Sequence, residues 1–290
     1  MLQTRASNEL TLSPPAVGVG KAALTRARSL AWGVRSRERP ERGLRILFYH
    51  RVADAADDLA VSPDRFREQM ELLAGMGVTG LDVVDAVARL RRGELGSDAV
   101  ALSFDDGYRD IAENALPILR ELGFRATVFV VTGVADGTTR MTWYRQQPPV
   151  LGWDEIRELD AEGVLRFEPH SITHPNLLAL RDDDAEAEIA GSKRALEERV
   201  GRPTSCFGYP AGLFGPRERR LVAAAGFDGA VTCDPGVNTD ATDPFALRRT
   251  QIERRDRRID FRAKIGGAHD SPLPLQDAFR RFRSRQPRAW

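Results

Sequence analysis

Ala99-Val100-Ala101-Leu102-Ser103-Phe104-Asp105-Asp106-Gly107 is an apolar run that ends abruptly in two acids and a glycine. A short apolar run closed by a turn residue reads as a buried strand. Two neighbouring carboxylates at its end repel one another and lose solvation, so a fold gains little from them. A divalent cation removes that cost by taking one carboxylate as ligand, leaving the other free to accept a proton. Read alone, Asp-Asp-Gly equally describes a solvated turn with an Asx hydrogen bond. The rest of the chain has to decide.

Working outward, apolar runs of the same kind recur at Leu44–His50, Ala126–Val131, Val164–Phe167, Ser205–Tyr209, Gly229–Cys233 and Phe245–Ile252. Helical patterns separate them. The clearest opens at Ser62-Pro63, an N-cap and an N1 proline, with Phe66, Met70, Leu73 and Met76 following at helical spacing. Others are Asp82–Arg92, Ile111–Leu122 (interrupted by Pro117), Trp153–Ala161, Asp182–Val200 and Pro216–Ala225, several closed by a glycine. Strand–helix alternation predicts an α/β fold on a mostly parallel sheet, open or closed into a barrel. In either form the reactive residues belong in loops at the C-terminal ends of the strands.

One such loop follows Val164–Phe167 and reads Glu168-Pro169-His170-Ser171-Ile172-Thr173-His174-Pro175. Two of the chain's four histidines fall here, four residues apart. On a helical turn that spacing puts both imidazoles on one side, where they can share a cation. With Asp106 they make a set of one carboxylate and two imidazoles, which leaves a coordination position open as in catalytic zinc sites. Asp105 is then placed to act as a base.

The 290 residues are 42% hydrophobic, enough for one sizeable core. Cys206 and Cys233 match no zinc spacing and read as packing residues, with no need of an oxidising compartment. No stretch approaches a membrane span and no signal peptide is evident, so the expectation is a cytoplasmic protein, peripheral at the membrane if attached at all. Net charge is +1, but unevenly spread: residues 1–45 hold nine Lys/Arg against three Asp/Glu, residues 246–290 thirteen against five, and the middle 21 against 34. Two basic arms flank an acidic body. They suit an anionic membrane surface or an anionic carrier, or they fold back on the body. In Leu275–Trp290, Leu275, Phe279 and Phe282 alternate with arginines as in a basic amphipathic helix. No nucleic-acid motif accompanies the charge, so no nucleic acid is expected.

Ser-Phe-Asp-Asp-Gly and His-Ser-Ile-Thr-His-Pro, in this order and at this distance, resemble the first two motifs of the polysaccharide deacetylase (NodB-homology) family. The resemblance covers residues 44–252, leaving basic extensions at 1–43 and 253–290. It implies a single-domain distorted (β/α) barrel of about seven strands. It implies Asp105 as catalytic base, Asp106, His170 and His174 as metal ligands, and hydrolysis of an acetyl group on a sugar. Zn2+ suits such ligands, with Co2+, Ni2+ or Mn2+ as alternatives.

The family's third motif begins with an arginine that pairs with the base, and here Gly208 stands in its place. Arg249 is the candidate replacement. The Ala211 N–H is the candidate oxyanion donor. The usual C-terminal Leu-x-His is absent, and His269, with no apolar run before it, reads as a loop histidine. Tyr49-His50-Arg51-Val52 instead resembles the permuted branch that deacetylates poly-N-acetylglucosamine, which makes His50 the expected general acid. Trp143, Tyr144, Trp153 and Phe214 are candidates for stacking on sugar rings or for core packing. The expected substrate is an N-acetylated sugar in a glycan, glycolipid or lipid-linked intermediate. The alternatives are an amidase or deformylase acting on another C–N bond, and an inactive sugar-binding module.

Overall fold

Ala99–Asp106 forms the longest strand of the chain, β5 in the order below, and every residue from Val100 onward is buried. A strand buried on both faces belongs inside a parallel sheet with cover on each side. The computed structural model, which describes residues 23–32, 43–96 and 99–270, shows that arrangement.

In chain order the elements are α1 (residues 23–32), β1 (Arg45–Tyr49), β2 (Arg51–Val52), β3 (Ala60–Val61), α2 (Pro63–Gly75), β4 (Thr79–Leu81), α3 (Val83–Arg91) and β5 (Ala99–Asp106). Then follow α4 (Leu116–Leu122), β6 (Ala126–Val130), α5 (Thr132–Ala135), α6 (Trp153–Glu162), β7 (Leu165–Pro169) and α7 (Asp182–Val200). The last are β8 (Cys206–Gly208), α8 (Pro216–Ala224), β9 (Gly229–Val231), β10 (Thr250–Gln251) and α9 (Arg258–Ile265).

The main sheet runs β10-β1-β5-β6-β7, all parallel, with β4 along the first half of β5. Tyr49 is level with Phe104, Asp106 with Val130, and Val130 with Pro169. This register brings the C-terminal ends of β1, β5, β6 and β7 to one edge. β8 and β9 form a second parallel pair, joined to the stretch before β10 by Leu247 N–H to Ala230 O (2.9 Å) and Thr232 N–H to Leu247 O (2.8 Å). These eight strands, six in the main sheet and two in the second, therefore curl towards a ring.

Among the described residues no strand pairing joins β7 to β8. There the buried Glu168 carboxylate accepts hydrogen bonds from Ser205 N–H (2.8 Å) and Cys206 N–H (2.9 Å), standing in for a strand ladder. Arg166 and Arg202 pair with the same carboxylate from its other side.

Three expectations need correction. Phe245–Ile252 is strand only at Thr250–Gln251, because Pro244–Ala246 forms a 3-10 turn after Asp243, whose side chain accepts from Phe245 N–H. Ile111–Leu122 is a π-helical turn, Ile111–Ala115, followed by α4 with Pro117 in its first turn, where a missing N–H costs nothing. Thr79–Leu81, unforeseen as a strand, contains Gly80, where a Cβ would sit 2.6 Å from the Phe124 ring.

Among the described residues of the two arms, the chain folds back on itself. Arg26 of α1 pairs with Asp260 of α9, Arg28 donates to Ala268 O (2.9 Å), and the buried Ser29 hydroxyl lies 3.3 Å from His269 Nε2. Asp270 pairs with Arg45 at the start of β1, so His269 lies at the end of the strands remote from Asp105 and Asp106. The expected helix at Leu275–Trp290 falls outside the described residues.

Candidate metal and catalytic centre

β5 delivers Asp105 and Asp106 side by side, and β7 delivers the loop with His170 and His174 beside them. Four non-glycine residues among those described have positive φ: Asp106 (75°), Ser171 (64°), His174 (57°) and Ala211 (53°). All four lie at this edge, Asp106 as the last residue of β5 and the other three in the segments beyond the strands. Left-handed backbone at non-glycine residues costs energy and tends to collect where a site must be held in one shape. The His170–His174 segment is accordingly no helical turn. It is a loop, pinned by Glu188 of α7, which accepts from Ile172 N–H (2.8 Å) and Thr173 N–H (2.9 Å), and by the Ser171 hydroxyl, which accepts from His174 N–H (3.0 Å).

Nε2 of His170 and Nε2 of His174 each lie 3.7 Å from Asp106 Oδ1, and the three donor atoms lie within 4.8 Å of one another. Donors that share one ion at about 2 Å each stand roughly this far apart. Asp106 Oδ1 is buried and makes no hydrogen bond. An orphaned buried acceptor is costly, and a cation among these three groups would satisfy it. His170 Nδ1 is 2.7 Å from the Gly208 carbonyl. Donation by Nδ1–H leaves the Nε2 lone pair facing Asp106, the orientation that outer hydrogen bonds impose on ligating histidines. Burial lowers the His170 pKa to about 4, so its imidazole is neutral and ready to ligate. The residues fit a divalent metal.

The neighbouring Asp105 has a different environment. Its carboxylate receives Arg249 Nη1 at 2.6 Å and Nη2 at 2.8 Å, a bidentate pair between two buried groups. Arg249 is itself held by Thr232 O (2.8 Å) and stacks over Phe48 and Phe129, at 4.2 and 5.4 Å to the ring centroids. Burial opposes ionisation of Asp105, but the charge of Arg249, helped by His170, brings its pKa down to about 2. Asp106 has no such partner: burial, and then the charge of Asp105, push it up to about 8. A metal taking Asp106 as a ligand would therefore displace a proton from it. We expect affinity for Zn2+ to rise about tenfold per pH unit below pH 8 and to level off above it; calorimetric titration between pH 6 and 9 reads this directly. A flat profile would disprove the protonated resting site.

His50 follows β1 on the same edge. Burial lowers its pKa, against the pull of Asp105. Ala211 lies in the Pro210–Gly212 turn just past β8. Trp143 is 6% exposed and its ring centroid is 4.7 Å from that of His174, so it walls the candidate metal site. Tyr144 is buried and donates to Asp57 (2.7 Å), Phe214 stacks on Tyr209, and Trp153 packs under Arg199.

A buried network beside His50 was not anticipated from the sequence. Arg51 joins Asp57 (2.8 Å) and Asp110 (2.8 Å), and Asp110 also accepts from Val52 N–H. The available signal was Arg51 itself, a cation directly after an apolar strand and buried only if paired.

The family model for polysaccharide deacetylases matches residues 92–230, a span that holds Asp105, Asp106, His170, His174 and Gly208. Residues 92–230 carry a polysaccharide deacetylase domain. His50 and Arg249 fall outside that span, on either side of it. Among similar proteins, YxkH of Bacillus subtilis (strain 168), named for polysaccharide deacetylase, is 27% identical over 216 residues, covering 74% of this chain and 73% of that protein. The poly-β-1,6-N-acetyl-D-glucosamine N-deacetylase of Staphylococcus aureus (strain MRSA252) is 20% identical over 215 residues, 71% of this chain and 72% of that one. Among solved structures, the Streptococcus pyogenes deacetylase PplD in complex with acetate aligns with a TM-score of 0.67 at 25% identity, over 74% of this chain and 94% of that one. IcaB from Ammonifex degensii shares the fold, with a TM-score of 0.68 at 23% identity over 80% and 99%.

Proposed function

We propose that this protein hydrolyses the acetyl group from an N-acetylated sugar, with residues 44–252 as its catalytic unit. The observation that carries the reading is the splitting of two adjacent carboxylates. Asp105 is locked ionised by Arg249, while Asp106 faces two imidazoles with an unsatisfied oxygen. Neighbouring acids driven apart in this way mark separate roles in catalysis.

Asp106, His170 and His174 would hold the ion. Zn2+ suits the mixed carboxylate–imidazole set best, with Co2+, Ni2+ and Mn2+ able to replace it. When bound, the ion supplies Lewis-acid polarisation of the acetyl carbonyl and acidifies water. Asp105 takes the proton of the attacking water, its carboxylate held in one orientation by the two Arg249 nitrogens. The Ala211 N–H donates to the developing oxyanion. His50, whose lowered pKa makes it a ready donor once protonated, passes a proton to the departing nitrogen. Acetate and a free amine result. The relatives named for N-acetylglucosamine polymers support an acetylated hexosamine as substrate. Among the described residues no helix is long and apolar enough to cross a membrane.

Acetate released from N-acetylglucosamine oligomers is the direct measurement. We expect turnover with Zn2+, loss on chelation, and a drop in kcat of about 10²–10⁴ for Asp105→Asn with metal still bound. Metal-loaded protein that releases neither acetate nor formate from any acylated sugar would end the proposal.

A further inference from the structure

A cleft of about 910 Å³ opens between the first turn of α2, the loop after β2 and the turn before α9. Five arginines line it, Arg26, Arg65, Arg254, Arg255 and Arg257, against a single acid, Asp54. Two of the five are engaged: Arg26 with Asp260, and Arg255 with Asp58 at 3.6 Å. Arg65 donates to the Arg254 carbonyl (2.6 Å), which brings two of the remaining guanidinium-bearing residues together without neutralising either. Among the described residues no carboxylate forms an ion pair with Arg65, Arg254 or Arg257. Gathering like charges around one cavity is unfavourable unless an anion joins them. The N-terminus of the 13-residue α2 adds to the positive field, since its N-cap Ser62 lines the cleft and makes no side-chain cap.

The place of the cleft gives this charge a use. Its walls leave the sheet at the catalytic edge: His50 leads through β2 into Ala53–Ala56, and β10 leads through Ile252 into Arg254. Ile252 N–H bonds to Phe48 O (2.9 Å), so both segments rise from adjacent strands next to His50. An anion held there would sit where these two segments leave the edge that carries His50. Guanidinium groups favour phosphate because they meet its oxygens in pairs.

We propose that the cleft holds a phosphate group of the substrate, so that the acetylated sugar reaches Asp105 and His50 as a phosphorylated conjugate. This rests on the deacetylase reading above. The test compares kcat/KM for an N-acetylglucosamine oligomer ending in a 1-phosphate with that for the neutral oligomer of equal length. We expect a preference of about tenfold for the phosphorylated sugar at low ionic strength, shrinking as salt is added. Arg254→Gln and Arg257→Gln, singly and together, should bring the ratio close to one, and should weaken inhibition by inorganic phosphate. Equal kcat/KM for both sugars in the unmodified protein overturns the proposal, whether or not the variants fold. A preference untouched by the variants also overturns it. So does arginine-dependent binding to phosphatidylglycerol vesicles without discrimination between the sugars, which would make the cleft a membrane contact. If neither sugar is turned over while inorganic phosphate still binds through these arginines, the deacetylase reading has failed, and the substrate assignment with it.

Discussion

Arg249→Met is expected to lower folding stability by about 3–5 kcal/mol, because it strands one member of a buried ion pair. Arg249 is fully buried and gives five hydrogen bonds, two to Asp105, one to Thr232 O and longer ones to Ser103 Oγ (3.4 Å) and Cys233 Sγ (3.9 Å). Methionine can fill the space between Phe48 and Phe129, but it offers Asp105 no charge. The carboxylate must then stay ionised without a partner or take up a proton. Its native pKa of about 2 lies below the usual carboxylate value. The stability it contributes is therefore present above the unfolded-state pKa and is lost as pH falls towards 2. In the variant that contribution disappears, so urea midpoints of the two proteins should differ most near neutral pH and converge in acid. Activity should respond as well. The acidic limb of kcat/KM moves upward, since the base now protonates at higher pH. An Arg249→Met protein with an unchanged midpoint and an unchanged pH profile would remove Arg249 from the centre. Asp105→Leu combined with Arg249→Met should cost less than the two single changes summed, as expected of partners in contact.

Gly208→Arg, which installs the residue type found in the third motif of the deacetylases this chain resembles, is expected to damage the site and not to improve it. A Cβ at Gly208 would sit 2.6 Å from His170 Nδ1 and 3.0 Å from the Phe129 ring. The Gly208 carbonyl is also the group that orients His170. Pushing the imidazole away breaks that hydrogen bond and turns Nε2 from Asp106. Loss of such an outer partner typically costs 10–100-fold in metal affinity, and we expect at least that for Zn2+, together with loss of most activity. The space a new guanidinium would need beside Asp105 is already filled by Arg249. Gly208→Arg should therefore fail to rescue Arg249→Met. Rescue in the double variant, read as recovered acetate release, would mean that the two positions are interchangeable and that the packing argument is wrong.

Much of the centre was legible in local pattern. Asp105 and Asp106 are adjacent on one strand, so no folding is needed to know that they lie together. The apolar run before them placed them at a strand end. His170 and His174 were found as a pair, though for a reason that does not hold: the spacing suggested a helical turn, and the loop instead joins them through left-handed residues pinned by Glu188. The arms were read only as charge, which left open whether they stay apart or fold back. Contacts of α1 with α9, such as Arg26 with Asp260, join residues more than two hundred positions apart and have no periodic signal. The arginine cleft was hidden for the same reason, since Arg65 and Arg254 meet only once α2 and the turn after β10 are packed side by side.

By itself the sequence determined the alternation of strand and helix, the strand that carries the two acids, and the residue types able to bind a metal. These are properties of short windows, where side-chain periodicity and chemistry are written locally. Tertiary structure alone decided the rest. It set which carboxylate is paired and which is left unsatisfied, brought Arg249 144 positions along the chain onto Asp105, and gave the place beside His170 to a glycine. Each of these depends on the parallel register that brings the ends of distant strands to one edge, and on the low-dielectric interior that makes an unpaired charge there too costly to keep.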